Sequence, residues 1–144
     1  MRPYLAFVLL LITVAADAAN YKAGQVWSYH HRPGDDGSTV LIDRVESVPN
    51  LGTIYHVSVL QIHVKDPTGS IRVVDLPHCP VSSTTLDISL VALIGKRAPY
   101  ESYMQGYTEW RQAFDAGHAG VYTIPLSEII ATLESMFTQG GQSR

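Results

Sequence analysis

The chain has 144 residues, with 10 lysines and arginines against 13 aspartates and glutamates, and a formal net charge of -3. Both signs are scattered without a block of like charge, so neither a nucleic-acid surface nor an acidic-membrane surface is expected. One cysteine, Cys79, excludes an internal disulfide, and the fold must hold by packing alone.

Met1-Arg2 precedes an apolar run from Tyr4 to Ala16, with small residues at Ala16 and Ala18. A cationic start, an apolar middle and an Ala-x-Ala site predict a secretory signal cut after Ala18, or after Ala16 by way of Val14 and Ala16. The run is roughly 13 residues, short of the roughly 18 to 20 that span a bilayer, so no stable membrane anchor is expected after cleavage. The expected organisation is a signal peptide at 1–18, a single α+β domain at 19–138 and a flexible tail at 139–144. Neither Asn20 nor Asn50 begins a glycosylation sequon. With the absence of disulfides, this favours a bacterial periplasmic or secreted protein.

Strand character runs from Gly24 to His31 and ends at Arg32-Pro33-Gly34-Asp35-Asp36-Gly37-Ser38, a turn-rich stretch that predicts an exposed hairpin loop. A second strand covers Thr39 to Ser47, and Pro49, Asn50 and Gly52 turn the chain. The third strand, Thr53 to Lys65, is the longest and is expected at the centre. Its apolar parity changes from Tyr55, Val57 and Val59 to Leu60, Ile62 and Val64, which predicts a bulge near Val59 or a middle covered on both faces. Ile71 to Leu76 makes a fourth strand. Pro77 and Pro80 predict a crossover from Leu76 to Val81 rather than regular structure.

Thr84 and Asp87 have the form of a helix N-terminal cap, and Leu86, Leu90, Leu93 and Ile94 share a helical face, so a helix ending at Gly95 is expected. Alternation of Leu86, Ile88, Leu90 and Ala92 also fits a strand. Tyr103, Tyr107, Trp110 and Phe114 recur at spacings of four, three and four, forming an aromatic stripe on a helix that begins at Pro99 or Ser102. Gly106 inside it costs about 1 kcal/mol relative to alanine, and marks either a close contact or the true helix start. Gly117 ends the helix and Val121 to Ile124 gives a fifth short strand. Ser127 caps a last helix that buries Ile129, Ile130, Leu133, Met136 and Phe137. The fold class is α+β, an antiparallel meander of four to five strands packed against about three helices.

No pair among the histidines has the single-element spacing of a metal site: His30 and His31 are adjacent, and His56 and His63 fall on opposite faces unless a bulge intervenes. No metal or cofactor is therefore expected. Cys79 beside His78 lacks a following helix N-terminus to lower its pKa, and is expected to be a buried, inert thiol. Gly-x-Ser-x-Gly and glycine-rich phosphate loops are absent. Asp35 and Asp36 are explained by turn propensity, and Asp43 and Glu46 have opposite parity on a strand. The aromatic stripe serves chiefly to pack a helix on the sheet, while Trp27, Tyr107, Trp110 and Arg111 are the candidate residues for binding a partner or ligand.

Gly24-Gln25-Val26-Trp27-Ser28-Tyr29 at the front, Gly106-Tyr107 with Trp110-Arg111, and Gly120 to Leu126 at the back give a chain that resembles small exported bacterial proteins of uncharacterised type. The resemblance implies export and names no activity. Two readings follow. The first is a non-enzymatic periplasmic binding domain for an envelope protein or small ligand, of inhibitor or immunity type. The second is a small hydrolase with a site assembled from distant residues such as His56, His78, Asp43 and Glu46. A structural envelope component is a third.

Overall fold

A computed structural model describes residues 20–140. The expected signal peptide and its cleavage sites lie outside them, as do residues 141–144 of the expected tail. The elements run β1 (Gln25–Tyr29), β2 (Thr39–Val48), β3 (Gly52–Lys65), β4 (Ile71–Ser82), α1 (Ser83–Ser89), β5 (Leu90–Lys96), α2 (Tyr103–Asp115) and α3 (Leu126–Gly140). They form an α+β fold around one five-stranded antiparallel sheet of order β4-β3-β2-β1-β5. The first four strands are the expected meander.

β3, the longest strand, is interior but not central: it lies between β4 and β2, and β2 holds the centre of the order. β3 shows both of the features that its parity offered as alternatives. Its middle, from His56 to Leu60, is buried throughout. Beyond it, Gln61 takes a positive φ of 57° and the register with β4 shifts between Val59 and Ile62, which returns the apolar side chains to the first face. The bulged Gln61 N–H is satisfied by the Asp75 carboxylate at 2.8 Å.

Alternation along β3 separates two layers. Val57 and Val59 face a core shared with Val40, Ile42, Cys79, Val81, Leu86 of α1, and Leu126, Ile129 and Ile130 of α3. Ile54 and His56 face the other way, toward Tyr107 and Trp110 of α2. The sheet is thus covered by α1 and α3 on one side and by α2 on the other. α1, with seven residues, rises only about 10 Å. Four inter-strand gaps of a flat sheet would measure about 19 Å, so the sheet must coil around its main core to let α1 reach from β4 to β5.

Four further expectations are corrected. The proline-containing stretch after Leu76 is strand, not crossover: β4 is an edge strand, where a missing N–H costs no ladder bond. The segment after Thr84 divides into a short helix and β5. Ser82 caps the helix by accepting from the Thr85 N–H at 3.3 Å, and the apolar alternation then supplies a strand that pairs with β1. The stretch from Val121 to Ile124 is not a strand; it makes one parallel bridge, Tyr122 to Val81, and covers the end of β4. Met136 and Phe137 are 64% and 52% exposed rather than buried; α3 still reaches β3 at Thr138, whose hydroxyl donates to the Lys65 carbonyl, but an open groove lies between Phe137 and the sheet.

The hairpin loop is present, but Asp35 is buried in it. Its carboxylate accepts from Arg32 Nε at 2.8 Å and from the His63 N–H at 2.8 Å, anchoring the loop to β3. Ser127 lies inside α3 rather than at its cap position, and the first N–H is satisfied from α1 instead: the Ser89 hydroxyl accepts from the Leu126 N–H at 3.0 Å.

Candidate functional site

Between the sheet and α2, side chains from three strands meet. Two bulges bring them together. β2 carries Asp43 as an extra residue between the pairs Ile42 to Val57 and Arg44 to His56. β4 places both Pro77 and His78 against the single residue Ser58, between Val57 to Cys79 and Val59 to Leu76. Bulges re-aim side chains, and here they bring Arg44 and Glu46 to the α2 side of the sheet beside Asp43, and His78 to the same side.

The result is a relay. Glu46 Oε1 lies 2.7 Å from His56 Nε2, and His56 Nδ1 lies 2.9 Å from His78 Nε2. The two imidazoles are nearly coplanar, with an interplanar angle of 17° and centroids 5.1 Å apart, so they lie end to end along an N–H···N bond. This fixes the tautomers. His56 donates from Nε2 to the Glu46 carboxylate, its Nδ1 accepts from His78 Nε2–H, and His78 Nδ1 carries a bare lone pair. Lone pairs aimed along one line do not converge on a common metal ion. Among the described residues no group of three or more His, Cys, Asp or Glu side chains has metal-binding geometry.

α2 closes over this relay with the residues expected to form its aromatic stripe. Tyr107 donates from its hydroxyl to Glu46 Oε2 at 3.2 Å, and Arg111 Nη1 donates to the same oxygen at 3.4 Å. Both Tyr107 and Trp110 pack edge-to-face on His56, with ring centroids 4.9 Å from the His56 centroid. Trp110 donates from Nε1 to the Gly120 carbonyl at 2.8 Å, tying the segment after α2 to the same layer. Arg44 stacks over the Tyr107 ring at 4.5 Å. Helix and sheet approach closely at Gly106, where an added Cβ would stand 2.7 Å from His78 Cβ and 3.5 Å from His78 Nδ1.

Burial, then the neighbouring His56, pushes the His78 pKa down to about 4. Burial lowers that of His56 as well, outweighing the hydrogen bond to Glu46, so both rings are neutral at neutral pH. Burial alone would raise Glu46, but the bonds from His56 and Tyr107 and the charge of Arg111 hold it below the usual carboxylate range. The site at neutral pH is a charged carboxylate with two neutral imidazoles in series.

Asp43 forms a second buried group on this face. Its Oδ1 accepts from the Tyr100 N–H at 2.7 Å, and its Oδ2 lies 2.5 Å from Ser58 Oγ, which is also 2.9 Å from the Pro77 carbonyl. One hydroxyl hydrogen cannot serve both oxygens. The hydrogen goes to the carboxylate when Asp43 is charged; when Asp43 is protonated it donates to Ser58, and Ser58 donates to the Pro77 carbonyl. Burial raises the Asp43 pKa to about 6, against the bonds from Ser58 and Tyr100, which favour the charged form.

Of the residues singled out in the sequence, Tyr107, Trp110 and Arg111 thus converge with Glu46, His56 and His78 on one constellation. Tyr107 and Trp110 are each only 9% exposed, so their rings face the relay instead of presenting a platform. Trp27 lies apart, packed on the main core beside Tyr21 on the opposite face. Cys79, next to His78, points to that same opposite core, and full burial pushes its thiol up to about 12. A cavity of about 390 Å³ beside α2 is walled by Pro80, Trp110, Ala119, Gly120, Val121 and Tyr122; it reaches the indole but neither histidine. Single-element spacing could not reveal the relay, because its members sit on three adjacent strands. No protein-family model matches the chain, and neither a curated protein nor a solved structure matches it.

Proposed function

We propose that the chain is an exported, non-enzymatic binding domain that holds an apolar group of a protein partner or small ligand. The observation that carries this reading is a groove of about 170 Å³ between the sheet and α3, walled by Ile62, Val64, Val74, Leu76, Ile130, Leu133 and Phe137. Asp75 and Glu134 complete its lining as the polar groups. Apolar concavities with a few polar groups at the edge are the usual form of a binding site. The relay, on the other face, serves as a lock that seats α2. Titration of the purified protein with the apolar dye 1-anilinonaphthalene-8-sulfonate at neutral pH should show saturable binding that Val74→Glu with Phe137→Glu abolishes while circular dichroism stays native. Equal binding by the variant would refute this assignment.

The second reading is the small hydrolase, favoured by the end-to-end relay itself. A carboxylate backing two imidazoles in series leaves His78 Nδ1 as the acceptor, which is what a general base requires. Gly106 faces that atom, so a substrate would need α2 to move. A panel of chromogenic esters and phosphoesters tests it: a turnover that falls by orders of magnitude in His78→Gln favours catalysis, and an unchanged rate removes it.

A further inference from the structure

We propose that α2 is an acid-released flap: protonation of the Glu46–His56–His78 relay unseats it from the sheet while the main core stays closed. The chain is tethered on both sides of α2. Before it, Tyr100 donates from its N–H to Asp43 at 2.7 Å and from its hydroxyl to Asp75 at 2.9 Å. After it, the Tyr122 N–H donates to the Pro80 carbonyl at 3.0 Å, and the Tyr122 carbonyl accepts from the Ser82 N–H at 2.9 Å. Between these tethers, among the described residues, the hydrogen bonds from α2 to the sheet come from Tyr107 and Arg111, and both end on Glu46. Trp110 bonds to Gly120, inside the same tethered stretch. At the joints, Ser102 makes no side-chain cap and Gly117 takes a positive φ of 78°. The layer of Ile54, Tyr107 and Trp110 is separate from the core that β3 shares with α1 and α3, so lifting α2 opens one without the other.

The seated relay has no place for an added proton. His78 Nδ1 faces Gly106, and among the described residues nothing bonds to it, so a proton there makes a donor without an acceptor. Passing the charge on to His56 puts a cation on a fully buried ring. The groups around the relay are Asp43, Arg44 and Glu46 on β2, and Tyr107 and Arg111 on α2, the last paired with Asp115. Arg44 and Arg111 repel a relay cation; Glu46 attracts it, but burial outweighs that attraction. Asp43 sits under the Tyr100 tether and stays covered when α2 lifts. Unseated, both rings meet water and titrate near their ordinary value, whereas seated His78 is pushed down to about 4. The closed form is therefore favoured above about pH 6.5 and loses that advantage as pH falls toward 4. The flap belongs to the α2 face and holds whether or not the groove under α3 takes a ligand.

Hydrogen exchange of the full chain, read as protection factors at about pH 7 and about pH 4.5, tests the flap. The amides of α2 should lose about fiftyfold in protection, from His78 alone, while those of Val57, Val59 and Ile130 hold. His78→Gln keeps a donor for His56 and cannot charge, so its α2 amides should be protected equally at both values. Trp27→Phe leaves Trp110 as the only tryptophan and does not touch the relay: its emission should move to the red and acrylamide quenching should rise over the same interval, with far-ultraviolet circular dichroism unchanged. Undiminished α2 protection at the lower pH overturns the proposal. So does loss of α2 and β3 protection together, or a folded His78→Gln chain that loses α2 protection as the native chain does.

Discussion

Gly106→Ala isolates the contact that seats α2. Gly106 lies in the interior of a 13-residue helix, so on propensity alone alanine should stabilise by about 1 kcal/mol. Space opposes this: the new Cβ would stand 2.7 Å from His78 Cβ, and neither atom can be rotated away because each is fixed to its own backbone. Overpacking that must be relieved by backbone movement costs roughly 1–3 kcal/mol. Any tilt also lengthens the Tyr107 and Arg111 bonds to Glu46, already 3.2 and 3.4 Å, at roughly 1 kcal/mol for each one lost. Strain should win. The expected net loss is about 1–2 kcal/mol, or roughly 3–10 °C in Tm for a domain of this size. Thermal melts at neutral pH read it directly, and a double-mutant cycle locates it: in a His78→Gly background, with the opposing Cβ gone, Gly106→Ala should become neutral or stabilising. A rise in Tm for Gly106→Ala in the native background would refute the close contact.

Three further outcomes follow from the buried groups. Asp43 has a folded pKa raised to about 6, so the stability it contributes is present below its ordinary value and lost as pH rises through 6; Asp43→Asn, which can donate to Ser58 at any pH, should therefore raise the unfolding free energy at pH 7–8 by up to about 3 kcal/mol, seen as a higher Tm, and lose that advantage near pH 4. His78 runs the other way. Its folded pKa is depressed to about 4, so its contribution is present above about 6.5 and lost as pH falls toward 4; with His56, Glu46, Arg44 and Arg111 around the relay, acid melts of Asp43→Asn should show a steep loss below pH 6.5 that His78→Gln flattens. The fully buried Cys79 should resist a thiol-exchange reagent in the native state and react at once in denaturant, and rapid native labelling would contradict its burial.

What the sequence makes legible is what periodicity governs. The alternation of β2 and β3 and the four-three-four aromatic spacing of α2 set one face against another, and the structure keeps both. The positions it conceals are those where edge and register decide. Pro77 and Pro80 signal an interruption only if their strand has neighbours on both sides; at the edge they are compatible with pairing, and β4 runs through them. Leu90 to Lys96 carries apolar residues that fit either period, and the free side of β1 resolves them into a strand. The relay is concealed for a related reason. Asp43 and Glu46 have opposite parity on an unbroken strand, yet the extra residue at Asp43 restores them to one face. His56 and His78 lie far apart in sequence, and only the bulge opposite Ser58 aligns their rings.

A helix packed on a sheet by aromatic side chains alone could rotate or slide at small cost, because apolar contact is nearly indifferent to direction. The relay removes that freedom. Glu46 accepts from His56, Tyr107 and Arg111, which lie on β3 and on successive turns of α2, so only one rotation of the helix satisfies all three donors. Buried polar networks stabilise little on balance, but removing one member of a buried pair costs about 3–5 kcal/mol, and this asymmetry rejects alternative registers. The same asymmetry couples the two faces of the argument for function. If α2 must stay seated for the relay to remain satisfied, then ligand binding in the groove under α3 can proceed without disturbing it, whereas any chemistry at His78 Nδ1 must first break the bonds to Glu46. A single measurement therefore separates the readings: hydrogen exchange of the α2 amides should be unchanged when an apolar ligand fills the α3 groove, and should accelerate only if a substrate gains access to His78.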